Sequence, residues 1–450
     1  MRSQNMNLTI NQIKKCIGAV DDINSNDRIS GICIDSRQVK SGDCFFAIKG
    51  ENLNGEDFLA DVFAKGAICA VVSKDCKFAG GKILKVDDVI IAMGKLAYAW
   101  RNLCGFSVVA VTGSAGKTTT RDIIHHILAG YYKCHKPMKN FNNHIGLPYT
   151  LLTTPEDTQV CVVEMGANHV GEIEYLSKIA GPDIALITNT YQAHLEGFGS
   201  IENIIKEKSA IAAGLKSDGC LIINDKMSAL KEYLKLQGKN FDCFNIDNSR
   251  SLGLSGILRI DTLDVEVPLA GMANLENAAA AYSVCKKLGI TASQFAERIK
   301  TFKPTQMRME IFNVGKTTII SDCYNANPAA MENAVEVLTT LAKNTGQKTV
   351  FICGDMKELG GETESLHRKL GAIISERKID LLLAVGQFAQ ITASAAGENS
   401  GTETRIFKTT DELNNSVCEF VNDGDMILVK GSRAGGLEKI VQKLLEALRG

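Results

Sequence analysis

Residues 108–120 read VVAVTGSAGKTTT, and no other segment restricts the fold as strongly. An apolar run ending at Thr112 has the length of a buried strand. After it, TTTRDIIHHILAG places Ile123, Ile124, Ile127 and Leu128 on one helical face. Between the two, Gly113 and Gly116 let the backbone turn so that successive N–H groups face one concavity, which also receives the positive end of the helix dipole. That is an anion site. Lys117 suits the β- and γ-phosphates of a nucleotide, and the Thr118 hydroxyl suits Mg²⁺. The commonest spacing, G-x-x-x-x-G-K-[ST], requires glycine at 111; this chain has Val111, so its loop is shorter. A glycine turn with a surface lysine explains neither the strand before it nor the helix after it.

The same alternation recurs. QVCVVEMG, DIALITN and GCLIIND are buried-strand candidates, and TTIISDC, KTVFICGDM, IDLLLAVG and DMILVKGS form a second series. Apolar strands alternating with helices predict parallel sheets covered on both faces. At about 150 residues per domain, 450 residues suggest three domains. The expected fold is α/β throughout: a small α/β unit at 1–86, a central P-loop-type parallel-sheet unit at 87–312 and a Rossmann-like α/β unit at 313–450. Residues 87–103 predict a helix with Val89, Met93, Leu96 and Trp100 on one face.

Fifty basic and 51 acidic side chains leave a net charge of −1. A chain devoted to nucleic acid or anionic membrane would show a basic footprint. The apolar runs, such as LLLAV at 381–385, are too short to cross a bilayer, and MRSQNMNLTI has no secretory h-region. The 14 cysteines show no C-x-x-C pair, and those in apolar runs (Cys33, Cys69, Cys161, Cys353) read as reduced core thiols of a cytoplasmic protein.

Glu164 closes a strand at the sheet edge where ligands bind, and a carboxylate there is a hard oxygen ligand for Mg²⁺. Alone it could equally cap the next helix. His194 follows another strand end; neither spacing nor chemistry decides its role. Lys206 and Lys208 read first as solvated helix lysines. His125 and His126 are adjacent on a helix, face different ways and form no site. In the last unit, SDCYNANP, CGDMKELGG and KGSRAGG put polar residues after successive strands, which marks a second functional edge. There Asn325, Asn327 and Pro328 also suit a turn, and Asp322 and Arg433 a structural ion pair.

TGSAGKTTT, NFNNHIGLP (140–148), EMGANHVGEI (164–173), AHLEGFGS (193–200), DCYNANPAAM (322–331), GDMKELG (354–360) and KGSR (430–433), in this order, resemble the Mur ligases, the ATP-dependent amide-forming enzymes of peptidoglycan synthesis. The ordered matches begin at DSR (35–37) and span nearly the whole chain. The resemblance implies that the first unit binds the uridine end of the substrate, the central one ATP, and that the third closes over both, about a hinge near 310–315. It implies ligation of D-alanyl-D-alanine to UDP-N-acetylmuramoyl-tripeptide through an acyl phosphate; a monomer is expected, and the charge balance and short apolar runs predict no nucleic-acid or membrane partner.

Residue roles follow from the same resemblance. Gly113, Ser114, Ala115, Gly116, Lys117, Thr118 and Thr119 would bind the phosphates. Thr118 and Glu164 would hold one magnesium ion and His194 a second, joined by Lys208 as a CO₂-derived carbamate. Asn277 would lie near the adenine, and Arg308 and Asp322 would bridge ATP to the third unit. Ser36, Arg37, Asn142, Asn143, Asn325 and Asn327 would hold the muramoyl-peptide. The chain departs from the family pattern at Ala273, where a histidine is usual, at Cys323, where a second acid is common, and in AGGLE, where a methionine is common before the glutamate. Rival readings are another ligase of the superfamily, of the MurE or folylpolyglutamate type, and a P-loop kinase or ATPase. AHLEGFGS and DCYNANP argue against the first; the short loop and the large third unit argue against the second.

Overall fold

A computed structural model describes residues 6–21, 23–138, 140–398 and 401–449. The first sheet contains strands β1 (Gly31–Cys33), β2 (Asp43–Phe46), β3 (Cys69–Ser73) and β4 (Ile83–Val86), parallel and side by side in chain order. Its strands are apolar on both faces because both are covered. Cys44, Phe46 and Val71 pack with Ile10, Ile13 and Ile17 of helix Ile10–Ile17, while Phe45, Ala70 and Val72 pack with Leu59 and Val62 of helix Leu59–Ala64.

Helix Val89–Cys104 leads into the central unit. Asp88 caps its first turn by accepting from the amides of Ile90 and Ile91, and Gly105 ends it at φ 70°. Val89, Met93, Leu96 and Trp100 are buried, as the periodicity predicts.

The central sheet is six-stranded and parallel: β5 (Ser107–Thr112), β6 (Cys134–His135), β7 (Val160–Glu164), β8 (Ile184–Ile187), β9 (Cys220–Asn224) and β10 (Asp242–Phe244), in the order β10-β9-β8-β5-β7-β6. β5 lies between β7 and β8, with Val111 opposite Glu164 and Thr112 opposite Ile187. The phosphate-loop candidate therefore emerges at the sheet centre, where strand order reverses. A small antiparallel sheet follows: β11 (Arg250–Ser251), β12 (Gly256–Ile260) and β13 (Leu263–Val267). The strand patterning above does not foresee it, although LDVEV alternates, burying Val265 and Val267.

The last sheet has the order β14-β15-β19-β16-β17-β18, from β14 (Glu310–Val314), β15 (Thr317–Asp322), β16 (Thr349–Gly354), β17 (Leu381–Val385), β18 (Glu403–Phe407) and β19 (Met426–Lys430). All pairs are parallel except the β14–β15 hairpin. β14 straddles the 312/313 division expected from sequence. It is a half-exposed edge strand with mixed residues, EIFNV, so it lacks the apolar run that marks its neighbours. Among the described residues no helix is long and apolar enough to cross a membrane, and the cysteines, all described, are free thiols.

Candidate active site

The loop after β5 has the backbone its glycines permit. Gly113 lies at φ 148° and Gly116 at φ 79°, and a Cβ on either would collide with the side chain of Thr188 or of Asn277. The loop is tied to the end of β8: the Ser114 amide donates to the Asn189 carbonyl (3.1 Å), the Ala115 amide to Asn189 Oδ1 (2.9 Å) and the Ser114 hydroxyl to the Tyr191 carbonyl (2.6 Å). Helix Lys117–Leu128 starts directly behind it. Lys117 folds back and donates to the Gly113 carbonyl (2.7 Å). Burial lowers its pKa, and Glu164 opposes that shift.

Beside the loop, Glu164 ends β7 and is 2 % exposed. Its Oε2 accepts from the Thr118 hydroxyl (2.9 Å) and from Arg121 (3.2 Å), and its Oε1 from Asn142 (2.9 Å). Thr118 in turn accepts from Arg308 (2.9 Å), whose guanidinium lies 4.1 Å from the ring centroid of Tyr324. Arg308 comes from the linker into the last sheet, and Tyr324 from the loop after β15. Neither Lys117 nor Arg308 has a carboxylate ion-pair partner among the described residues. Positive charge with no matching carboxylate, beside a backbone cradle, fits phosphate.

Lys208 lies on helix Ile201–Ser209 and is 1 % exposed, whereas Lys206 is exposed. Its ammonium lies over the ring of Phe198, 5.1 Å from the centroid. Among the described residues it forms no hydrogen bond or ion pair. Burial, then the charge of Lys117, push its pKa down to about 7, against Glu207 and Glu172. His194 stands edge-on to the same Phe198 ring, in the left-handed region at φ 52°, with Nδ1 facing the Glu358 carboxylate of the third unit. That histidine holds the Glu358 carboxyl below its ordinary range.

In the third unit Asp322, at the end of β15, pairs with Lys430 at the end of β19 (2.5 Å). Lys430 is 2 % exposed and also donates to the Asn325 carbonyl (2.9 Å). Asp322 accepts from the Met309 amide (3.2 Å). The ion pair considered above, Asp322 with Arg433, is not the one formed: Arg433 pairs with Glu438 at 3.2 Å. Lys117, Thr118, Asn142, Glu164, His194, Arg308, Asp322, Tyr324 and Lys430 line one cleft of about 1000 Å³ between the central and last sheets.

Three family models match the chain: the Mur ligase family, catalytic domain, over residues 28–100; the Mur ligase middle domain over 111–285; and the Mur ligase, glutamate ligase domain over 307–433. The UDP-N-acetylmuramoyl-tripeptide–D-alanyl-D-alanine ligase of Bacillus subtilis is 35% identical over 435 residues, covering 93% of this chain and 94% of that protein. The Escherichia coli protein of the same name is 32% identical, with 93% and 94% covered. The chain belongs to the Mur ligase family.

Among solved structures, MurF from Acinetobacter baumannii superposes with a TM-score of 0.90 at 30% identity, over 98% of this chain and 99% of that one. MurF from Thermotoga maritima, in complex with ADP, superposes at 0.82 and 25% identity, over 93% and 97%. The three-domain α/β fold of the Mur ligases is the fold of this chain.

The Mur ligase cleft gathers most residues singled out by sequence: the loop from Ser114 to Thr119, Asn142, Asn143, Glu164, His194, Asn277, Arg308, Asp322, Asn325 and Asn327. Several have local work as well. Asn143 accepts from the amides of Ile145 (3.2 Å) and Gly146 (2.8 Å), Asn327 caps helix Pro328–Thr345 and Asn277 accepts from Thr120 (3.2 Å). Ala273 lines the cleft beside Asn274. Ser36 and Arg37 lie outside its lining; Arg37 pairs with Asp35 at 2.8 Å, and the Ser36 carbonyl accepts from Lys65. Lys208 is buried and lies outside the cleft lining. Sequence reasoning missed Arg121, buried between Asp122 and Glu164, and Lys430, Tyr324 and Glu358. Arg121 was legible as a charge in the apolar helical stretch after the loop.

Proposed function

We propose that this Mur ligase joins D-alanyl-D-alanine to UDP-N-acetylmuramoyl-tripeptide at the expense of ATP, forming a C–N bond and releasing ADP and phosphate. The observation that carries this reading is the meeting of two units at one phosphate loop: the cleft is lined by the loop from Ser114 to Thr119 and, across from it, by Asp322, Asn325 and Lys430 of the third unit. A nucleotide-binding edge and a second sheet edge thereby face the same space, as a reaction between a phosphate donor and two further substrates requires.

The tripeptide carboxylate attacks the γ-phosphorus of ATP, giving an acyl phosphate. The dipeptide amine attacks its carbonyl carbon, and phosphate leaves with the former carboxylate oxygen. Lys117 and the loop amides carry positive charge to the oxygens on which negative charge gathers. Arg308 adds a second cation from the opposite wall. Closure of the third unit over the cleft would keep water from the acyl phosphate.

Magnesium fits the donor set at Thr118 and Glu164, where it would supply positive charge to the phosphate oxygens. No group of three His, Cys, Asp or Glu among the described residues forms a complete cage, and an ion of this kind takes its other ligands from phosphate and water. His194 and Lys208 would serve a second ion. As an ammonium Lys208 cannot ligate a cation. We assign it as the carbamate: its neutral Nζ bonds to the carbon of CO₂ and loses a proton, leaving a carboxylate-like anion. Burial without an ion pair and a pKa near 7 support this. The roles of Asn277 near adenine and of Ser36, Arg37, Asn142, Asn143, Asn325 and Asn327 toward the muramoyl-peptide belong to the same proposal. So do the three-unit division at 1–86, 87–312 and 313–450, with its last boundary moved ahead of β14 (Glu310–Val314), and a cytoplasmic location, which free thiols and nucleotide substrates favour.

The test is phosphate release from ATP. Release that requires UDP-muramoyl-tripeptide and D-Ala-D-Ala together is expected; release indifferent to the dipeptide would overturn the reading.

A further inference from the structure

A second cavity, of about 300 Å³, opens beside the main cleft between the central unit and the third. Tyr191, Ala329 and Glu332 line both spaces, so the two communicate. The walls of the smaller one are largely aliphatic, with Leu366 and Leu370 of helix Thr363–Glu376 among them. It also holds two opposite charges, Glu332 and Lys369. Both are exposed, and neither forms an ion pair or hydrogen bond among the described residues. Glu332 touches both spaces; Lys369 touches only the smaller one.

That order gives the cavity a direction. Its negative group stands where the cavity meets the main cleft, and its positive group lies in the smaller space alone. A small zwitterionic peptide matches it end for end: ammonium toward the cleft, where the amine must reach an acyl carbon, methyl groups on the aliphatic walls, and carboxylate outward. We propose that this cavity is the binding site of the dipeptide substrate, with Lys369 recognising its C-terminal carboxylate and Glu332 holding its amino end toward the cleft. The proposal rests on the ligase reading above and adds which residues select a substrate with a free carboxylate. A charge-assisted contact at a partly open site is a specificity device, felt mainly in binding.

The experiment is steady-state kinetics of the full chain with D-Ala-D-Ala and with its C-terminal amide. For Lys369→Ala, the KM for the dipeptide should rise about tenfold, as for one lost charge-assisted hydrogen bond. Its kcat and the KM values for ATP and the muramoyl nucleotide should stay within about twofold. Wild type should bind the amide about tenfold more weakly than the acid, whereas Lys369→Ala should treat the two alike. Lys369→Arg should restore the preference. If Lys369→Ala retains the wild-type preference for the acid, the site is assigned wrongly. Wild type that forms no product with D-Ala-D-Ala overturns the ligase reading itself; an active wild type with an unaffected Lys369 variant overturns only this cavity's role.

Discussion

The central and last sheets present similar edges, parallel strands ending in polar residues, yet their charges are arranged differently. At the last sheet, Asp322 and Lys430 satisfy each other across neighbouring strands. At the central sheet, Lys117 donates to a carbonyl and Arg308 to a hydroxyl, and the buried Glu164 is shared among Thr118, Arg121 and Asn142. One edge is electrically complete. The other holds cations awaiting an anion beside the cradle its two glycines form, whereas the turn after β17, at Gly386 (φ 125°), already holds the Asp355 carboxylate, which accepts from the amides of Gln387 and Phe388. The strand–loop–helix architecture is common to both; the unmatched charge is what distinguishes a site for phosphate from a wall that closes on it.

The largest effect should come from the unmatched edge. Lys117→Ala should lower turnover by roughly 10²–10³-fold or more, roughly 3–4 kcal/mol of lost electrostatic stabilisation, with an unchanged melting transition; near-normal turnover would dissolve the contrast. Lys208→Ala should come close to the same loss. Acetate or formate should partly restore it by supplying a carboxylate in the vacated space, and should do nothing for Lys117→Ala.

Lys208 also predicts a pH signature in CO₂-free buffer. Its folded pKa, about 7, lies below the ordinary 10.5. Between those values the unfolded chain holds the extra proton, so stability should rise with pH across that window. The rise attributable to this residue should be missing from denaturation profiles of Lys208→Met; identical slopes would mean that Lys208 is not held neutral.

The matched edge should fail in the opposite way. Asp322→Ala leaves Lys430 buried with only backbone carbonyl partners, and should cost about 3 kcal/mol of stability, the lower end for breaking a buried pair. Glu164→Ala should cost less, because Arg121 keeps Asp122 at 2.8 Å, while removing activity. Urea denaturation of both variants measures the difference, and equal losses would break the comparison.

The smallest effect concerns the linker between the edges. Met307 and Met309, on either side of Arg308, lie at φ 60° and 50°, a region that costs a residue with a Cβ roughly 1–2 kcal/mol. Met307→Gly should gain up to about 1 kcal/mol in denaturant melts, while loosening Arg308 and lowering kcat a few-fold.

The central site was legible because its chemistry is local: strand, two glycines, lysine and threonine lie within 13 consecutive residues. Lys208 could also have been separated from Lys206 by periodicity, since Ile201, Ile204, Ile205 and Lys208 fall on one stripe. Composition hid the rest. β14 is a mixed edge strand, and the three-stranded sheet at 250–267 is built from short, half-exposed strands. Pairings across long separations were not legible. Asp322–Lys430 depends on β15 and β19 lying side by side, Arg308–Thr118 on the linker folding back onto the loop, and His194–Glu358 on how separate units pack; nothing in the spacing of those residues specifies it.

The central claim, that the cleft activates a carboxylate for an amine, is tested most directly by isotope transfer. UDP-muramoyl-tripeptide labelled with ¹⁸O in its terminal carboxylate should deliver one ¹⁸O to each phosphate released during dipeptide ligation, read by mass spectrometry. Phosphate that carries only solvent oxygen would show that water attacks ATP in this cleft, and would contradict the account.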